Sequence, residues 1–529
     1  MSNNMLKLFF EKGFLLDKEM LKFFIELDDK YIANEILDKI AVASKKKIIT
    51  KGIIWENIEK IKPILFDLNE DKKQLVDKYF VNIFISIEVN KNMNYDKENV
   101  LVKDNKDFGT VKIISSPIIA SQRLEVKNFV KHFRSRYNMI KKILQSHKKL
   151  INPISIDKIS GNNEFSIIGI VTNKSITKNK NIILEIEDLT GSVKLLFNKN
   201  KEEVYKRSEN ILLDDILGFN CVGTKDFLYV NDFFYPDCYI QNKKRLDEES
   251  YALFISDIHV GSNNFLEKNF LKFINWLNGD NYSNKHQEFL KKIKYMFVVG
   301  DTIEGIGVYP GQEKELNIND IKKQYDKLAG FYKMIPNHIQ IIQCAGQHDG
   351  VRVPEPQPPI GEDFAESLHK LSNIHLVSNP SFVEIGAKDG KDGIKVMMYH
   401  GASMHGVISE IEELRLSNAH SFPSKVIKHL LLRRHLAPTH GLTTYIPGEE
   451  DSMVIKEVPD IITTGDLHRT DISSYNNILI IANSCWQSMT AFEEKVGNVP
   501  DPCKVPILNL KTREIKILDF SGDDILEDG

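Results

Sequence analysis

The sequence predicts a multidomain α+β protein, in which a helical module, a small β-barrel and an α/β domain follow one another along the chain. Apolar residues recur at helical spacing near the N-terminus. Several short strands separated by turns follow between residues 155 and 242, and from residue 251 onwards strands alternate with helical patterns. A chain of 529 residues with a hydrophobic content of 42% is long enough to build a core for each of these domains.

The composition restricts the functional class. The formal net charge is −3, so a protein that coats nucleic acid over its whole surface is not expected, and any DNA contact must be local or shared with a partner. The five cysteines include no CxxC pair, which argues against a zinc knuckle or a disulfide framework and fits a cytoplasmic location. No window approaches about 18 uninterrupted apolar residues, so no transmembrane helix is expected.

Residues 1–65 are expected to form a small helical module. Three short segments have apolar residues at helical spacing, and they begin near Met5, Leu21 and Ile32. Asp17 is suited to cap the second helix, because a carboxylate can accept hydrogen bonds from the first free backbone N–H groups. The sequence assigns no role to this module.

Residues 66–150 are expected to be a linker that ends in a basic amphipathic helix. The stretch from Asn90 to Lys106 is rich in Asn, Lys and Asp, as solvated linkers are. From Val126 to Leu144, apolar side chains recur along one face of a helix and the other face is basic. The basic residues are Lys127, Lys131, Arg134, Arg136, Lys141 and Lys142. This face is either a ridge that meets phosphate groups or an ordinary solvated surface.

Residues 151–245 are expected to form a β-barrel of the OB-fold type. Strand-like runs cover Phe165–Val171, Ile182–Ile186 and Val193–Phe197, and further short strands follow. The pattern FSIIGIV followed by ILEIEDLTGSVKLLF looks like an OB-fold. OB-folds often bind single strands by stacking bases on aromatic side chains. Aromatic residues are sparse on the first strands here, so a barrel that binds another subunit is an equal alternative.

Residues 246–529 carry side chains of the metal-ligand type, each placed where a strand is predicted to end. These residues are Asp257, His259, Asp301, His348, His400, Asp466 and His468. Most of them follow apolar runs, which cover Ala252–Ile255, Tyr295–Val299, Ile339–Ile342 and Val396–Tyr399. Open α/β sheets place their sites at the ends of strands, so these carboxylates and imidazoles are expected to converge. This layout is typical of a metallophosphoesterase with two divalent ions.

The spacing of these ligands suggests a role for each of them. Asp301 is the natural bridge between the two ions, because it follows a predicted buried strand and a glycine that permits close approach. Asp257, His259 and His468 are expected at the first ion, and His400 at the second. Mixed nitrogen and oxygen ligation suits manganese, iron or zinc better than calcium.

The remaining histidines divide into one candidate catalyst and a group without a predicted role. His348 is placed to protonate the leaving oxygen or to stabilise charge in the transition state. The residues expected to be polar surface or loop positions are His405, His420, His435 and His440. Arg433 and Arg434, beside His435, fit either a phosphate contact or a structural salt bridge.

Longer strings of sequence carry a closer resemblance. They read FISDIHVGS, GDTIEGIGVYPGQ, PEPQPPI, LLRRHLAPTHG, EVPDIITTGDLH and NSCWQ. On these strings, and over residues 157–509, the chain resembles the small subunits of archaeal family-D DNA polymerases. The string Gly305–Gly311 is far more specific than the general phosphoesterase motifs.

The resemblance implies a fold, an activity and partners. The fold is a four-layer α/β/β/α metallophosphoesterase domain beside an OB-fold. The activity is a 3′→5′ exonuclease that degrades single-stranded DNA and proofreads, with manganese at the site and magnesium as the alternative. The partners are the large catalytic subunit, in a heterodimer, and DNA with a single-stranded 3′ end. The chain shows no polymerase site of its own, so synthesis requires the large subunit.

The family pattern implies metal-binding roles for Asp257, His259, Asp301, Gln347, His400, Asp466 and His468. Two of these positions depart from the pattern, since Gln347 replaces Asn and Asp466 replaces His, both beside the second ion. Three functions therefore stay open: an active but weakened exonuclease with altered metal preference, a scaffold subunit without catalysis, and a free-standing phosphatase. The retained ligands favour the first, and the long family-specific strings argue against the third.

Overall fold

The computed structural model describes most of the chain from residue 109 onwards and shorter pieces before it. The described residues are 14–16, 18–27, 29–43, 48–49, 72, 87–89, 109–119, 123–150, 152–160, 164–279, 284–388, 390–496 and 498–522. The chain divides into two compact units, Met1–Ile87 and Glu88–Gly529. No helix among these described residues is long and apolar enough to cross a membrane.

The first unit contains two helices and two short strands. Its elements are β1 (Leu15–Leu16), α1 (Lys18–Leu27), α2 (Lys30–Ala43) and β2 (Ile48–Ile49). β1 pairs with β2 in parallel. On α1 the buried side chains include Phe23 and Phe24, whereas Ile25 is exposed. The helix predicted near Met5 and the cap predicted at Asp17 lie outside the described residues.

Two short strands and one long helix precede the barrel in sequence. They are β3 (Ile87–Val89, which crosses the division between the units), β4 (Val111–Ser115) and α3 (Val126–Gln145). On α3, Tyr137 and Ile140 are buried as predicted, but Val126 and Val130 at its N-terminal end are 80% and 43% exposed.

The basic face of α3 differs from its prediction at one position. Arg136 was expected on a solvated or phosphate-facing surface, but it is only 3% exposed. Its Nε donates a hydrogen bond to Oδ2 of Asp451 at 2.6 Å, and its guanidinium also donates to the carbonyl of Pro438 at 2.9 Å. The prediction is wrong for Arg136, because a helical periodicity cannot show that the same turn faces a buried carboxylate from another part of the chain.

The next segment closes into a five-stranded barrel. Its elements are β5 (Phe165–Ile176), β6 (Ile182–Glu187), β7 (Ser192–Phe197), α4 (Glu202–Glu209), β8 (Ile216–Thr224) and β9 (Phe227–Phe234). The strands pair around the barrel in the order β5-β6-β7-β9-β8. Alternate side chains of β6, such as Ile182, Leu184 and Ile186, are buried inside it.

The remaining chain builds two sheets with helices packed against them. The elements are β10 (Tyr251–Ile255), α5 (Glu267–Asn278), α6 (Asn284–Leu290), β11 (Ile293–Val299), α7 (Ile321–Lys333), β12 (Gln340–Cys344), α8 (Glu362–His369), β13 (Ile374–Leu376), β14 (Ser381–Ile385), β15 (Ile394–Met398), α9 (Met404–Glu410), α10 (Glu412–Leu416), α11 (Pro423–Arg433), β16 (Ile461–Thr464), β17 (Asp471–Tyr475), β18 (Ile478–Ala482), α12 (Ala491–Val496), β19 (Lys504–Asn509) and β20 (Ile515–Asp519). Ile293 begins strand β11, directly after the short connection that follows α6.

The order of the strands places the ends of several of them side by side. One sheet runs β13-β12-β11-β10-β19-β20, and β10 to β13 are parallel neighbours. The other runs β17-β18-β16-β15-β14-β4, with β15 and β16 parallel. β4 is thus an edge strand of this sheet, although its residues were assigned to the linker segment. α5 and α7 pack on the first sheet, and α9 and α11 on the second.

Candidate metal centre

The predicted ligands all follow the carboxyl ends of strands from the two sheets. Asp257 and His259 come after β10, Asp301 after β11, His400 after β15, and Asp466 with His468 after β16. Gln347 and His348 follow β12 in the same way. The two sheets therefore deliver these side chains to one place, as the sequence predicts, because each strand is short, apolar and parallel to its neighbour.

Five of these residues have backbone in the left-handed region. The φ angles are 50° at Asp257, 55° at His259, 48° at Asp301, 68° at Asp466 and 55° at His468. Non-glycine residues in this region cost about 1–3 kcal/mol each, and such residues cluster at functional sites. Backbone hydrogen bonds hold the turns in place, for example from the N–H of His259 to the carbonyl of Asp301 at 3.0 Å.

Two glycines allow the chain segments to approach at the centre. A Cβ at Gly346 would lie 2.2 Å from Oδ1 of Asp301, and a Cβ at Gly300 would lie 2.3 Å from Nδ1 of His400. Both distances are far below van der Waals contact, so any side chain at these positions would displace a ligand. Gly300 also has a φ of +78°, which favours glycine independently.

A first group of ligand atoms forms around Asp257. Its Oδ1 lies 3.3 Å from Nε2 of His468, and this nitrogen lies 3.4 Å from Nε2 of His259. All three side chains are buried, and their ligand atoms lie within 4.8 Å of one another. One carboxylate and two imidazole nitrogens at this spacing fit the mixed ligation of a divalent transition metal.

A second group forms around His400. Its Nε2 lies 3.2 Å from Oδ2 of Asp301, 4.0 Å from Oδ1 of Asp257 and 4.0 Å from Oδ1 of Asp466. Gln347 joins this group, since its Nε2 donates to Oδ1 of Asp466 at 3.2 Å. Asp257 belongs to both groups, whereas Asp301 is grouped with Asp257 and His400.

Each of the three histidine ligands has its Nδ1 engaged and its Nε2 directed into the site. Nδ1 lies 2.9 Å from Oε2 of Glu304 for His259, 2.8 Å from Oε1 of Glu493 for His468, and 2.8 Å from the carbonyl of Val299 for His400. These oxygens only accept hydrogen bonds, so each Nδ1 carries a proton and each Nε2 is the nitrogen left to face the site. Metal-binding histidines are fixed in this way by the acceptor behind them.

Three buried polar atoms test whether a cation fits the second group. Nε2 of His400, Oε1 of Gln347 and Oδ2 of Asp466 have no hydrogen-bond partner among the described residues. Buried polar atoms are almost always paired, and all three of these atoms are of types that ligate divalent cations. The residues present therefore fit a divalent cation, which the buried Asp and His groups also suggest.

The acidic groups at the centre are held in their charged form. Burial opposes the ionisation of Asp301, but His400 and His348 outweigh it and hold the pKa of this carboxyl far below its usual range. Burial likewise opposes ionisation of Glu304, yet its hydrogen bond with His259 lowers its pKa to about 2. Negative charge therefore persists at the site across the physiological pH range.

His348 lies at the rim of the first group. Its Nδ1 donates to the carbonyl of Glu304 at 2.9 Å, and its ring centroid lies 4.8 Å from that of His259. The backbone N–H of His348 donates to Oδ1 of Asp301 at 2.8 Å. Its Nε2 is thus the atom left to meet a substrate, and the side chain is partly exposed.

The structure adds two carboxylates to which the sequence analysis assigned no role. Glu304 was visible in the Gly300–Glu304 string and now orients His259. Glu493, on α12, orients His468, and no local pattern marked it. A third carboxyl, Glu355, lies behind the site, where burial raises its pKa to about 8. Tyr399 donates a hydrogen bond to Glu355 at 3.3 Å. The Glu355 carboxyl is therefore a buried, hydrogen-bonded group rather than a metal ligand.

The remaining histidines and Arg433 differ in their exposure and in the residues that they contact. His440 is exposed as expected, but His435 is only 1% exposed, so the surface prediction is wrong for it. Its Nε2 donates to Asp451 at 3.0 Å, and Asp451 is buried beneath α3. Arg433 forms the structural salt bridge, with its Nε donating to Asp215 at 2.9 Å. His405 lies next to the site, 3.5 Å from Asp466.

Comparison with known proteins gives consistent similarities. A family model that describes the B subunits of DNA polymerases alpha and epsilon matches residues 252–472. The DNA polymerase II small subunit of Pyrococcus horikoshii is 35% identical over 464 residues, which cover 85% of this chain and 73% of that protein. The protein of the same name from Methanothermobacter thermautotrophicus is 36% identical over 399 residues, which cover 75% of this chain and 80% of that protein.

Two further comparisons define the limits of the similarity. The DNA polymerase II small subunit of Pyrococcus abyssi is 37% identical over 75% of this chain, but the match spans only 64% of that protein's length. A solved structure described as a novel archaeal phosphodiesterase is 14% identical and covers 51% of this chain and 98% of its own. Its TM-score is 0.25, which is too low to support a conclusion about the fold.

Proposed function

The chain belongs to the family of archaeal DNA polymerase II small subunits, and from this membership we propose that it carries a metal-dependent 3′→5′ exonuclease. The observation that carries the proposal is the set of three imidazoles at the centre. His259, His400 and His468 each donate Nδ1–H to an acceptor behind them and aim Nε2 at carboxylates on the other side. A scaffold subunit has no need for this arrangement, whereas a phosphoesterase does.

The proposal assigns the ligands to two ions. Asp257, His259 and His468 hold the first, and His400, Gln347 and Asp466 hold the second. Asp301 would be the carboxylate shared by the two ions. When bound, the ions polarise the phosphate and activate water for attack on phosphorus. Manganese is the metal that the family resemblance implies, with magnesium as the alternative, and the mixed nitrogen and oxygen ligands suit manganese better than calcium.

The protein residues supply the proton chemistry and the positioning. His348 donates a proton from Nε2 to the departing O3′ of the penultimate nucleotide, which releases a nucleoside 5′-monophosphate. Glu304 orients His348 through its backbone carbonyl and His259 through its carboxylate. General acid catalysis of this kind contributes about a hundredfold or more to the rate.

The proposed domain layout follows the boundaries predicted from the sequence. Residues 1–65 form a helical module, residues 66–150 a linker with a basic helix, residues 151–245 an OB-fold, and residues 246–529 a four-layer metallophosphoesterase domain, to which β4 of the linker segment adds an edge strand. The five-stranded barrel and the two helix-flanked sheets support this layout. The partners are the large polymerase subunit and DNA with a single-stranded 3′ end, and synthesis requires that large subunit.

The test is degradation of end-labelled single-stranded DNA with Mn²⁺, in which the wild-type chain is compared with His348→Ala. We expect stepwise loss from the 3′ end with the wild type and a loss of rate of about a hundredfold or more in the variant. Unchanged Mn²⁺ binding by the variant separates a catalytic histidine from a structural one. If neither protein degrades DNA, alone or with the large subunit, the exonuclease proposal is wrong.

One observation favours a second candidate, a scaffold subunit with little or no catalysis. Gln347 donates its amide N–H to Asp466 at 3.2 Å, and its side chain is one methylene longer than the Asn of the family pattern. A displaced ligand of this kind weakens catalysis, since misplacement by about 1 Å can cost about a hundredfold in rate. Stable assembly with the large subunit without any hydrolysis would identify this second function.

A further inference from the structure

Asp466 presents its two carboxylate oxygens to different surroundings. Oδ1 accepts a hydrogen bond from Nε2 of Gln347 at 3.2 Å and lies 4.0 Å from Nε2 of His400. Oδ2 is buried and has no hydrogen-bond partner in the part of the chain that the structure describes. A buried carboxylate oxygen without a donor is costly to leave in that state. This oxygen therefore needs a cationic partner on the side that faces away from Gln347.

His405 lies on that side. Its Nε2 is 3.5 Å from Oδ2 of Asp466, and its side chain is 44% exposed while that of Asp466 is 12% exposed. The two atoms form no hydrogen bond in this arrangement. Two ligand atoms of one ion, each about 2.1 Å from it, lie about 3.0–3.5 Å apart in octahedral or tetrahedral geometry. The distance between His405 and Asp466 matches this spacing.

We propose that His405 is an additional ligand of the second divalent ion, which it holds together with Asp466 at the solvent-facing edge of the site. The proposal rests on the proposed function, because it assumes that His400 and Asp466 bind a second ion. His405 belongs to none of the sequence strings described above, and its side chain is partly exposed. Neither feature predicts a metal-binding role for it.

The backbone around His405 is well placed for this role. His405 follows His400 by five residues, so the turn after β15 supplies two imidazoles from one short segment. His405 lies in the first turn of α9, and the segment before it is anchored, since the N–H of Ser403 donates to the hydroxyl of Tyr399 at 3.1 Å and the side chain of Met404 is fully buried. A ligand on a fixed element loses little conformational entropy when the ion binds.

The neighbours of His405 leave its approach to Asp466 open. The ring of His420 packs against it at a centroid distance of 5.4 Å with an interplanar angle of 40°. His420 therefore supports one face of the imidazole, and the ring edge with Nε2 points to the carboxylate. The other reading of the contact is a simple ion pair between His405 and Asp466, which would need no metal, and the experiment separates the two.

The test measures Mn²⁺ binding to the full-length chain by isothermal titration calorimetry, and the ligand nitrogens by pulsed electron paramagnetic resonance. We expect two sites in the wild type, and a loss of affinity of about tenfold or more at one site in His405→Ala. His405→Gln keeps a hydrogen-bonding group beside Asp466 but lacks the imidazole, so it should show the same loss together with one fewer nitrogen coupling. His440→Ala, at an exposed histidine that contacts Tyr445, serves as the matched control and should bind as the wild type does.

The outcomes distinguish this inference from the proposed function. If His405→Ala and His405→Gln both bind two ions with wild-type affinity, the inference is overturned and the contact is an ion pair only. If His405→Gln behaves as the wild type while His405→Ala does not, a hydrogen bond explains the effect and the inference is again overturned. If Asp301→Asn also leaves binding unchanged, the metal centre itself is wrong. Loss of binding in Asp301→Asn without any effect at His405 removes this inference alone.

Discussion

Glu304 holds His259 in one tautomer, because its Oε2 accepts a hydrogen bond from Nδ1 of His259 at 2.9 Å. The other oxygen of the same carboxylate lies 3.6 Å from Nδ1 of His348. A single acidic residue therefore aligns a proposed metal ligand and stands beside the proposed proton donor. Its position after β11, three residues beyond Asp301, connects both roles to one strand end.

Replacing Glu304 with Gln should weaken the exonuclease without unfolding the chain. Gln is close in size, but its amide lacks the negative charge that holds Nδ1–H of His259, and its nitrogen can force the opposite tautomer. We expect a loss of about 10–100-fold in Mn²⁺ affinity and activity. Calorimetry and the DNA degradation assay measure the two effects. Wild-type values for both would show that Glu304 does not orient the ligand.

Replacing Asp301 with Asn should remove metal binding and hydrolysis together. The side chain keeps its shape but loses the charge that both groups of ligands share. Asn also tolerates the left-handed backbone found here, where φ is 48°, so the fold should persist. Mn²⁺ titration and circular dichroism are the measurements. Retained hydrolysis would contradict the bridging role of Asp301.

The sequence was sufficient to predict the candidate metal-binding residues, but not all of the residues that orient them. Asp257, Asp301 and His400 follow short apolar strands, so strand ends alone could predict their convergence. Glu493 is different, since it orients His468 from a helix 25 residues further along, and only the tertiary fold brings the two together. No periodicity or motif contains that information.

The errors of the sequence analysis have the same physical origin. His435 and Arg136 look like surface residues because each is polar and each stands beside other charges. The fold brings both to the buried carboxylate of Asp451, at 3.0 Å and 2.6 Å. Arg136 is 315 positions from Asp451 and His435 is 16 positions from it, and helical periodicity reveals neither pairing.

Shortening Gln347 to Asn should raise the activity. The present side chain donates its amide N–H to Asp466 at 3.2 Å, and its Oε1 has no partner among the described residues. An amide that is one methylene shorter can direct its oxygen to the second ion and release Asp466. We expect a rate increase of about tenfold or more, given that misplacement by about 1 Å can cost about a hundredfold. An unchanged rate, measured beside Gln347→Ala, would mean that the site has already adapted to the longer side chain.

The buried His435 should make the stability of the chain depend on pH. Burial, followed by the positive charge of Arg136, lowers the pKa of His435 to about 4. The neutral ring is fully paired, since Nε2 donates to Asp451 and Nδ1 accepts from the N–H of Ala437 at 3.0 Å. The remaining titratable neighbour is His132, whose Nε2 lies 3.2 Å from the same oxygen of Asp451.

The direction of this effect follows from the lowered pKa. The unfolded chain takes up the proton near pH 6.5 and the folded chain only near pH 4, so acid favours the unfolded state between these values. The stabilisation is complete above pH 6.5 and is lost as the pH falls towards 4, with a total of about 3 kcal/mol. Urea unfolding at pH 7.5, 6 and 5 should therefore show a smaller loss for His435→Gln, which keeps a donor and an acceptor but does not titrate. Equal losses in the two proteins would show that another group controls the acid sensitivity.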